Sequence, residues 1–148
     1  MMRKLFGIGG LLVLLTVGGT AIAQEMVDMK GTWLPSAGDD LIDGNSQHTP
    51  VGVAPIAGGD GALHKDTTPF VFHFDGQDGH TFWGTHSSGD VVEKLVGSTS
   101  GDGKRFVIAD EDGTFNGVVI DADTLDFCYA HSTPESIAAS CGLLVRQK

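Results

Sequence analysis

Short apolar runs alternate with turns rich in glycine and aspartate along most of the chain. Seven such runs lie between Thr67 and Arg146, at residues 69–75, 80–86, 91–98, 104–110, 114–121, 125–131 and about 138–146. Asp-Gly pairs between β-branched and aromatic residues are typical of β-hairpins. No stretch of helical length separates one run from the next. The pattern therefore predicts an antiparallel meander.

An eighth strand is predicted earlier in the chain, at residues 31–35, where Pro35 should end it. Residues 36–66 then form a connection rich in Gly, Asp, Pro and Ala, and a connection of this length is usually a lid or a disordered segment. Eight antiparallel strands with short later connections favour a closed barrel over a sandwich, which more often has long crossing connections late in the chain. We therefore predict an all-β fold, an eight-stranded antiparallel up-and-down barrel with a long first loop.

The first 23 residues have the organisation of a secretory signal peptide. A basic start is followed by an apolar run at residues 5–20 and by Ala21-Ile22-Ala23, a small-x-small cleavage sequence. An uncleaved membrane anchor is the alternative, which the glycines within the apolar run disfavour. We expect cleavage after Ala23, export to the periplasm or the medium, no membrane association afterwards, and a single mature domain at residues 24–148.

The chain is acidic, with a formal net charge of −10. Cleavage removes Arg3 and Lys4, which leaves 7 basic against 19 acidic residues and a net charge of −12. Because such a charge repels nucleic acid, we predict no nucleic-acid partner.

Two cysteines, Cys128 and Cys141, lie in the last two predicted strands. An even pair in an exported protein predicts a disulfide, with a free thiol nucleophile as the weaker alternative. If bonded, the cysteines lie opposite each other across a hairpin, and alternation places Phe127, Tyr129 and His131 on the other face, which we expect to be the interior. Apolar residues beside the cysteines then face outward and leave a homo-oligomer open.

The two ends of the mature chain resemble the calycin superfamily of lipocalins and avidins. Gly31-Thr32-Trp33 is similar to the Gly-x-Trp that opens the first strand of these barrels, and Arg146 is similar to the arginine that packs across that tryptophan in lipocalins. The resemblance implies an eight-stranded barrel closed at the Trp33 end. It does not extend to biotin or a retinoid, because the second lipocalin motif is absent and Trp83 alone corresponds to the avidin aromatic box.

If Trp33 and Arg146 close one end, the alternating strand directions bring several polar and aromatic residues to the other, open end. The predicted ligand-binding residues are Phe70, Phe72, Trp83, His86, Glu93, Phe106, Phe127, Tyr129 and His131. The phenylalanines would contact the apolar part of a ligand and the polar groups would orient it. The alternative is a solid aromatic core with a wet polar rim. Strands 80–86 and 91–98 carry apolar residues on both faces, so their facing is undecided.

Three functions remain open on this pattern. The preferred one is an exported barrel that binds a small, partly apolar molecule without a cofactor. The second is a small enzyme of the isomerase, cyclase or lyase type, with His131, Tyr129 and Asp110 transferring protons. The third is a structural module with a filled core.

A metal site is not predicted. His80 and His86 share a strand face but lie roughly 20 Å apart at the rise of a strand, too far for one ion. The acidic turns, such as residues 110–113, could bind calcium weakly, yet hairpin turns favour these residues anyway.

Overall fold

The structure, a computed structural model, describes residues 26–44, 63–65, 70–88, 90–132 and 136–148. The predicted signal peptide and most of the predicted first loop therefore lie outside the described residues. Nine strands are described: β1 Gly31–Gly44, β2 Leu63–His64, β3 Phe70–Asp78, β4 Thr81–Ser88, β5 Val91–Thr99, β6 Arg105–Ala109, β7 Gly113–Asp121, β8 Thr124–Ser132 and β9 Ser136–Arg146. Within these ranges no helix has the length and hydrophobicity needed to cross a membrane.

The strands form one closed antiparallel sheet. Each strand from β3 to β8 pairs with the next strand in the chain, β1 pairs with β3, and β1 also pairs with β9, which closes the barrel. The two-residue β2 adds to the end of β1 at Ile42. The predicted fold, an eight-stranded antiparallel up-and-down barrel, is confirmed.

The first strand is longer than its sequence pattern predicts. It continues past Pro35 to Gly44, so the first part of residues 36–66 is strand and not loop. Its register against β9 shifts between Pro35 and Ala37, and its pairing with β3 ends at Trp33. Proline is tolerated in sheets at bulges and at edges, and both conditions are met here.

The barrel interior is filled by large apolar side chains that contact one another. The buried core consists of Met29, Trp33, Phe72, Phe74, Phe82, Leu95, Phe106, Ile108, Phe115, Leu125, Phe127 and Leu144. The rings of Phe72 and Phe115 have centroids 5.3 Å apart, and those of Phe74 and Phe82 are 5.1 Å apart, both edge-to-face. The solid-core alternative therefore describes the middle of the barrel.

Trp33 and Arg146 close one end of the barrel. The Trp33 side chain is fully buried, and its indole N–H donates to the carbonyl of Met29 at 2.9 Å. The Arg146 guanidinium lies 4.2 Å from the centroid of the indole ring. It also donates to the carbonyl of Ala122 at 2.9 Å and to Asp123 Oδ1 at 3.1 Å. The closed end is thus sealed by packing, a cation–π contact and hydrogen bonds.

Cys128 and Cys141 face each other across β8 and β9 and form a disulfide. Phe127 and His131 lie buried on the opposite face of β8, as the alternation predicts, while Cys141 is exposed. The disulfide and the facing of this hairpin are therefore confirmed.

Reduction of the disulfide should lower stability without unfolding the protein. The bond closes a loop with a sequence separation of 13, for which the chain-entropy gain is about 3 kcal/mol or less. Urea denaturation with and without reductant measures the loss. A Cys128→Ser/Cys141→Ser variant, insensitive to reductant, is the control. A reduced protein that is unfolded without denaturant would contradict the prediction.

Candidate functional site

The end opposite Trp33 carries polar side chains on the inner face of β4 and β5. In β4 the buried positions are Phe82, Gly84, His86 and Ser88, so Trp83 faces outward. In β5 Glu93 and Leu95 are buried and Lys94 is exposed. The facing that the sequence left undecided is therefore settled: the His86 and Glu93 side chains both point into the barrel.

His86, Glu93 and Asp110 form a compact group, here called the His86 cluster. His86 and Glu93 are directly opposite each other in the β4–β5 ladder. His86 Nε2 lies 3.0 Å from Glu93 Oε2, and His86 Nδ1 lies 3.4 Å from Asp110 Oδ2. The imidazole is thus placed between two carboxylates, with 1% of its side chain exposed. Three separate segments of the chain supply the cluster.

Asp110 is oriented by the turn that follows β6. Its Oδ1 accepts hydrogen bonds from the backbone amides of Gly113 at 2.6 Å and of Asp112 at 3.3 Å. These bonds hold the carboxylate in one position and direct Oδ2 toward His86. The acidic turn of residues 110–113, expected to be an ordinary hairpin turn, therefore also supplies side chains to the site.

A second group of side chains continues from this turn to β9, and we call it the Tyr129 chain. The Tyr129 hydroxyl donates to Asp112 Oδ1 at 2.9 Å and lies 2.9 Å from His131 Nδ1. His131 Nε2 lies 2.8 Å from Ser136 Oγ. Because a hydroxyl has one hydrogen, a neutral His131 must donate from Nδ1 to Tyr129 and accept at Nε2 from Ser136. The chain is thus a continuous series of hydrogen bonds.

Burial and like charges shift the titration of this end of the barrel. Burial, followed by the negative charges of Asp112, Asp110 and Glu111, raises the pKa of Glu93 to about 7. Burial and the neighbouring carboxylates also raise the pKa of Tyr129 far above its usual range, so its hydroxyl stays protonated. The carboxylates at the open end therefore favour the binding of a positively charged group.

The contribution of Glu93 to the stability of the protein should fall as pH rises from about 4.5 to about 7. The pKa of Glu93 is about 7 in the folded protein and 4.5 is its ordinary value. At Glu93 the folded state therefore binds more protons than the unfolded state within this window, and the contribution of this carboxyl to stability decreases with pH there. Denaturation of wild type and Glu93→Gln across the window isolates this carboxyl, since the other groups titrate in both. A wild-type-to-variant difference that does not change with pH would contradict the prediction.

The structure separates the predicted ligand-binding residues into three places. His86, Glu93, Tyr129 and His131 lie at the open end, and the partly buried Phe70 packs against the His86 ring at 5.9 Å. The phenylalanines expected to line a pocket, Phe72, Phe106 and Phe127, belong to the filled core.

Trp83 does not line the interior. It is 46% exposed on the outer face of β4, opposite Val96. The reason is that Phe82, beside it in the sequence, occupies the inner face and packs over Gly97 of β5.

Three further residues of this end were not predicted from the sequence. Asp112 and Ser136 belong to the Tyr129 chain, and Ser88 is fully buried two residues after His86 on the same face of β4. The alternation of β4 could have indicated Ser88 once the facing of His86 was known. Asp110 contacts His86, while Asp112 accepts the hydrogen bond of Tyr129.

Comparison with protein-family models, with curated proteins and with solved structures finds no match for this chain.

Proposed function

We propose that the protein is an exported barrel that binds a small, partly apolar ligand at the end opposite Trp33. The observation that carries the proposal is the group of buried polar side chains placed above a filled aromatic core. Buried polar groups cost free energy unless they find partners, and a row of them at one end of a barrel is typical of a binding site. The inner face of β4 changes along the strand. It carries the apolar Phe82 in its first half and the polar His86 and Ser88 toward its end.

The ligand would be oriented by charge at one end and by aromatic contact at the other. Glu93, Asp110 and Asp112 bring three carboxyl groups together, which favours a ligand with a positive charge or hydrogen-bond donors. Phe70 and the half-buried Tyr129 supply apolar surface beside them. Because the middle of the barrel is solid, the ligand is small and lies at the mouth.

We also propose that the chain belongs to the calycin superfamily. The support is the stacking of Arg146 on Trp33 at the closed end, which corresponds to the Gly-x-Trp and arginine of that superfamily. Export to the periplasm or the medium is supported by the Cys128–Cys141 disulfide, a bond that persists in oxidising compartments. The net charge of −10 supports a partner other than nucleic acid. A homo-oligomer remains a prediction.

An enzyme is the second candidate, and the Tyr129 chain favours it. A serine, a histidine, a tyrosine and an aspartate joined in series could take up a proton at His131 and keep its ring oriented. This would suit an isomerase, cyclase or lyase reaction. In this arrangement Asp112 orients Tyr129, and Asp110, predicted to be the third member, interacts with His86 instead.

Native mass spectrometry of the exported protein, purified without denaturation, tests the binding function. We expect a small molecule at near-stoichiometric occupancy, which extraction would identify. A protein that carries no organic molecule and whose melting temperature does not change with small amines or other organic cations would contradict it.

Replacement of His131 separates binding from catalysis. If the protein is a binder, His131→Asn should weaken its affinity for the ligand. If it is an enzyme, the same change should abolish turnover of the identified molecule while the fold stays intact. His73→Asn is the matched control, because His73 is exposed on the outer face and contacts Thr32 there.

A further inference from the structure

We propose that His86, Glu93 and Asp110 bind a divalent transition-metal ion at the open end of the barrel. One imidazole nitrogen and two carboxylate oxygens, all within 4.8 Å of one another, converge at this point. Nitrogen and oxygen donors of this kind bind zinc and the neighbouring first-row ions. The inference deepens the proposed function by naming a cation that these carboxylates bind. It rests on that function only because both use the same site.

The three ligands lie close enough together to reach one ion. Two atoms that each lie about 2.1 Å from an ion are roughly 3 to 3.5 Å apart. His86 Nε2 and Glu93 Oε2 are separated by 3.0 Å, and His86 Nδ1 and Asp110 Oδ2 by 3.4 Å. The two distances involve different nitrogens of the ring, so the ion binds one nitrogen together with the carboxylate nearest to it. The carboxylate on the other side of the ring must then move to reach the ion, and the three donor atoms already lie within 4.8 Å of one another.

Neighbouring groups hold the ligands in place. The His86 ring packs against the rings of Phe72 at 5.5 Å and Phe115 at 5.8 Å. The two backbone amides of residues 112 and 113 hold Asp110 through its Oδ1 and leave Oδ2 for the ion. Contacts of this kind around the ligands are what orient them in metal sites.

Buried polar atoms around the cluster point independently to a bound group. Among the described residues, Asp110 Oδ2, Asp112 Oδ2 and Ser88 Oγ are buried and accept or donate no hydrogen bond. Ser88 is 0% exposed and lies on the inner face of β4 beside His86. Each such atom costs about 1–3 kcal/mol when it has no partner. Asp110 Oδ2 already lies 3.4 Å from His86 Nδ1, so a bound group would above all supply partners to Asp112 Oδ2 and Ser88 Oγ.

The charge balance favours a doubly charged ion. Glu93, Asp110 and Asp112 bring three carboxyl groups to this end, so a protonated His86 would still leave a net negative charge once they ionise. The described lysine and arginine ion pairs lie elsewhere, at Asp28, Asp39 and Asp123.

The ligand set favours a transition metal over calcium or magnesium. The hard ions prefer oxygen ligands alone, whereas an imidazole ligand suits zinc, cobalt, nickel and iron. Three protein ligands also leave at least one coordination position for water or for a small molecule. That position lies at the end of the barrel where the proposed ligand enters.

Zinc binding to the chelator-treated full-length exported protein tests the inference, with equilibrium dialysis giving the stoichiometry and calorimetry the affinity. We expect one equivalent to bind, and His86→Gln and Asp110→Asn each to weaken binding at least about a hundredfold, since even surrounding residues are worth 10- to 100-fold. His73→Gln is the matched control and should bind as wild type does, because His73 lies on the outer face. Cobalt substitution should give visible absorption of a low-coordinate site, lost in the His86 variant.

Two results would overturn the inference: no zinc bound by the wild type, or equal affinity in His86→Gln and wild type. Circular dichroism checks that the variants are folded. If they are not, the imidazole nitrogen chemical shifts of wild-type His86 decide, because an unchanged spectrum on zinc addition also overturns it. If the protein retains an organic ligand but does not bind zinc, only this inference is overturned. If it binds zinc but no organic ligand, only the small-molecule function is overturned.

Discussion

Trp33→Ala should destabilise the protein by about 3–5 kcal/mol, the usual loss when a fully buried large aromatic side chain is removed from a core. Trp33 is 0% exposed and is the largest residue of the core. Its loss removes the hydrogen bond to Met29 and the surface on which Arg146 stacks. Since domains of this kind are stable by only about 5–15 kcal/mol, the variant should be close to unfolding.

Trp83→Ala is the matched control for this experiment. The same side chain is removed from the same barrel, but Trp83 is 46% exposed on the outer face, so the loss should be about 1 kcal/mol or less. Urea denaturation of both variants, with the disulfide intact, gives the two values. Equal losses would contradict the assignment of Trp33 to the sealed end and of Trp83 to the surface.

Gly117→Ala should cost about 2–3 kcal/mol, the range for overpacking a close-packed core. Gly117 of β7 pairs with Phe106 on one side and with Phe127 on the other, and both rings lie in the core. A Cβ at this position would lie 2.0 Å from the carbonyl oxygen of Asp126 and 2.7 Å from the Phe106 ring. The backbone oxygen cannot move away without disturbing the ladder.

Gly101→Ala is the control for the glycine prediction. A Cβ at residue 101 would meet nothing within 4 Å, so the change should alter stability by less than about 0.5 kcal/mol. Thermal unfolding of the two variants measured together provides the comparison. If Gly117→Ala has the melting temperature of the wild type, the Phe106 ring and the carbonyl of Asp126 do not pack against residue 117.

Only part of the candidate site could be predicted from the sequence. Tyr129 and His131 were placed correctly because β8 alternates strictly, with Phe127 and Leu125 on their face. The facing of His86 could not be decided, because Phe82 and Trp83 put an aromatic side chain on each face of β4. The same holds for β5, where Leu95 is buried and its neighbour Val96 is exposed.

The His86 cluster had no local signal at all. Its members are 7 and 17 residues apart in the chain, and they meet only because β4 and β5 pair in one register and the turn after β6 lies at the same end. Spacing between histidines, the usual guide to a metal site, was uninformative because a single histidine is involved. The extension of β1 past Pro35 was likewise invisible, since it depends on the pairing with β9.

The sequence by itself determined the barrel, the disulfide and the sealed end of this protein. These features follow from patterns that act locally: the alternation of apolar residues, the turn residues between strands, and the positions of Trp33, Arg146 and the two cysteines. Only the tertiary structure decided which polar side chains meet at the open end, and that the aromatic residues fill the middle. The physical reason is that inter-strand register and closure of the sheet, which no single strand encodes, set the distances between side chains from different strands.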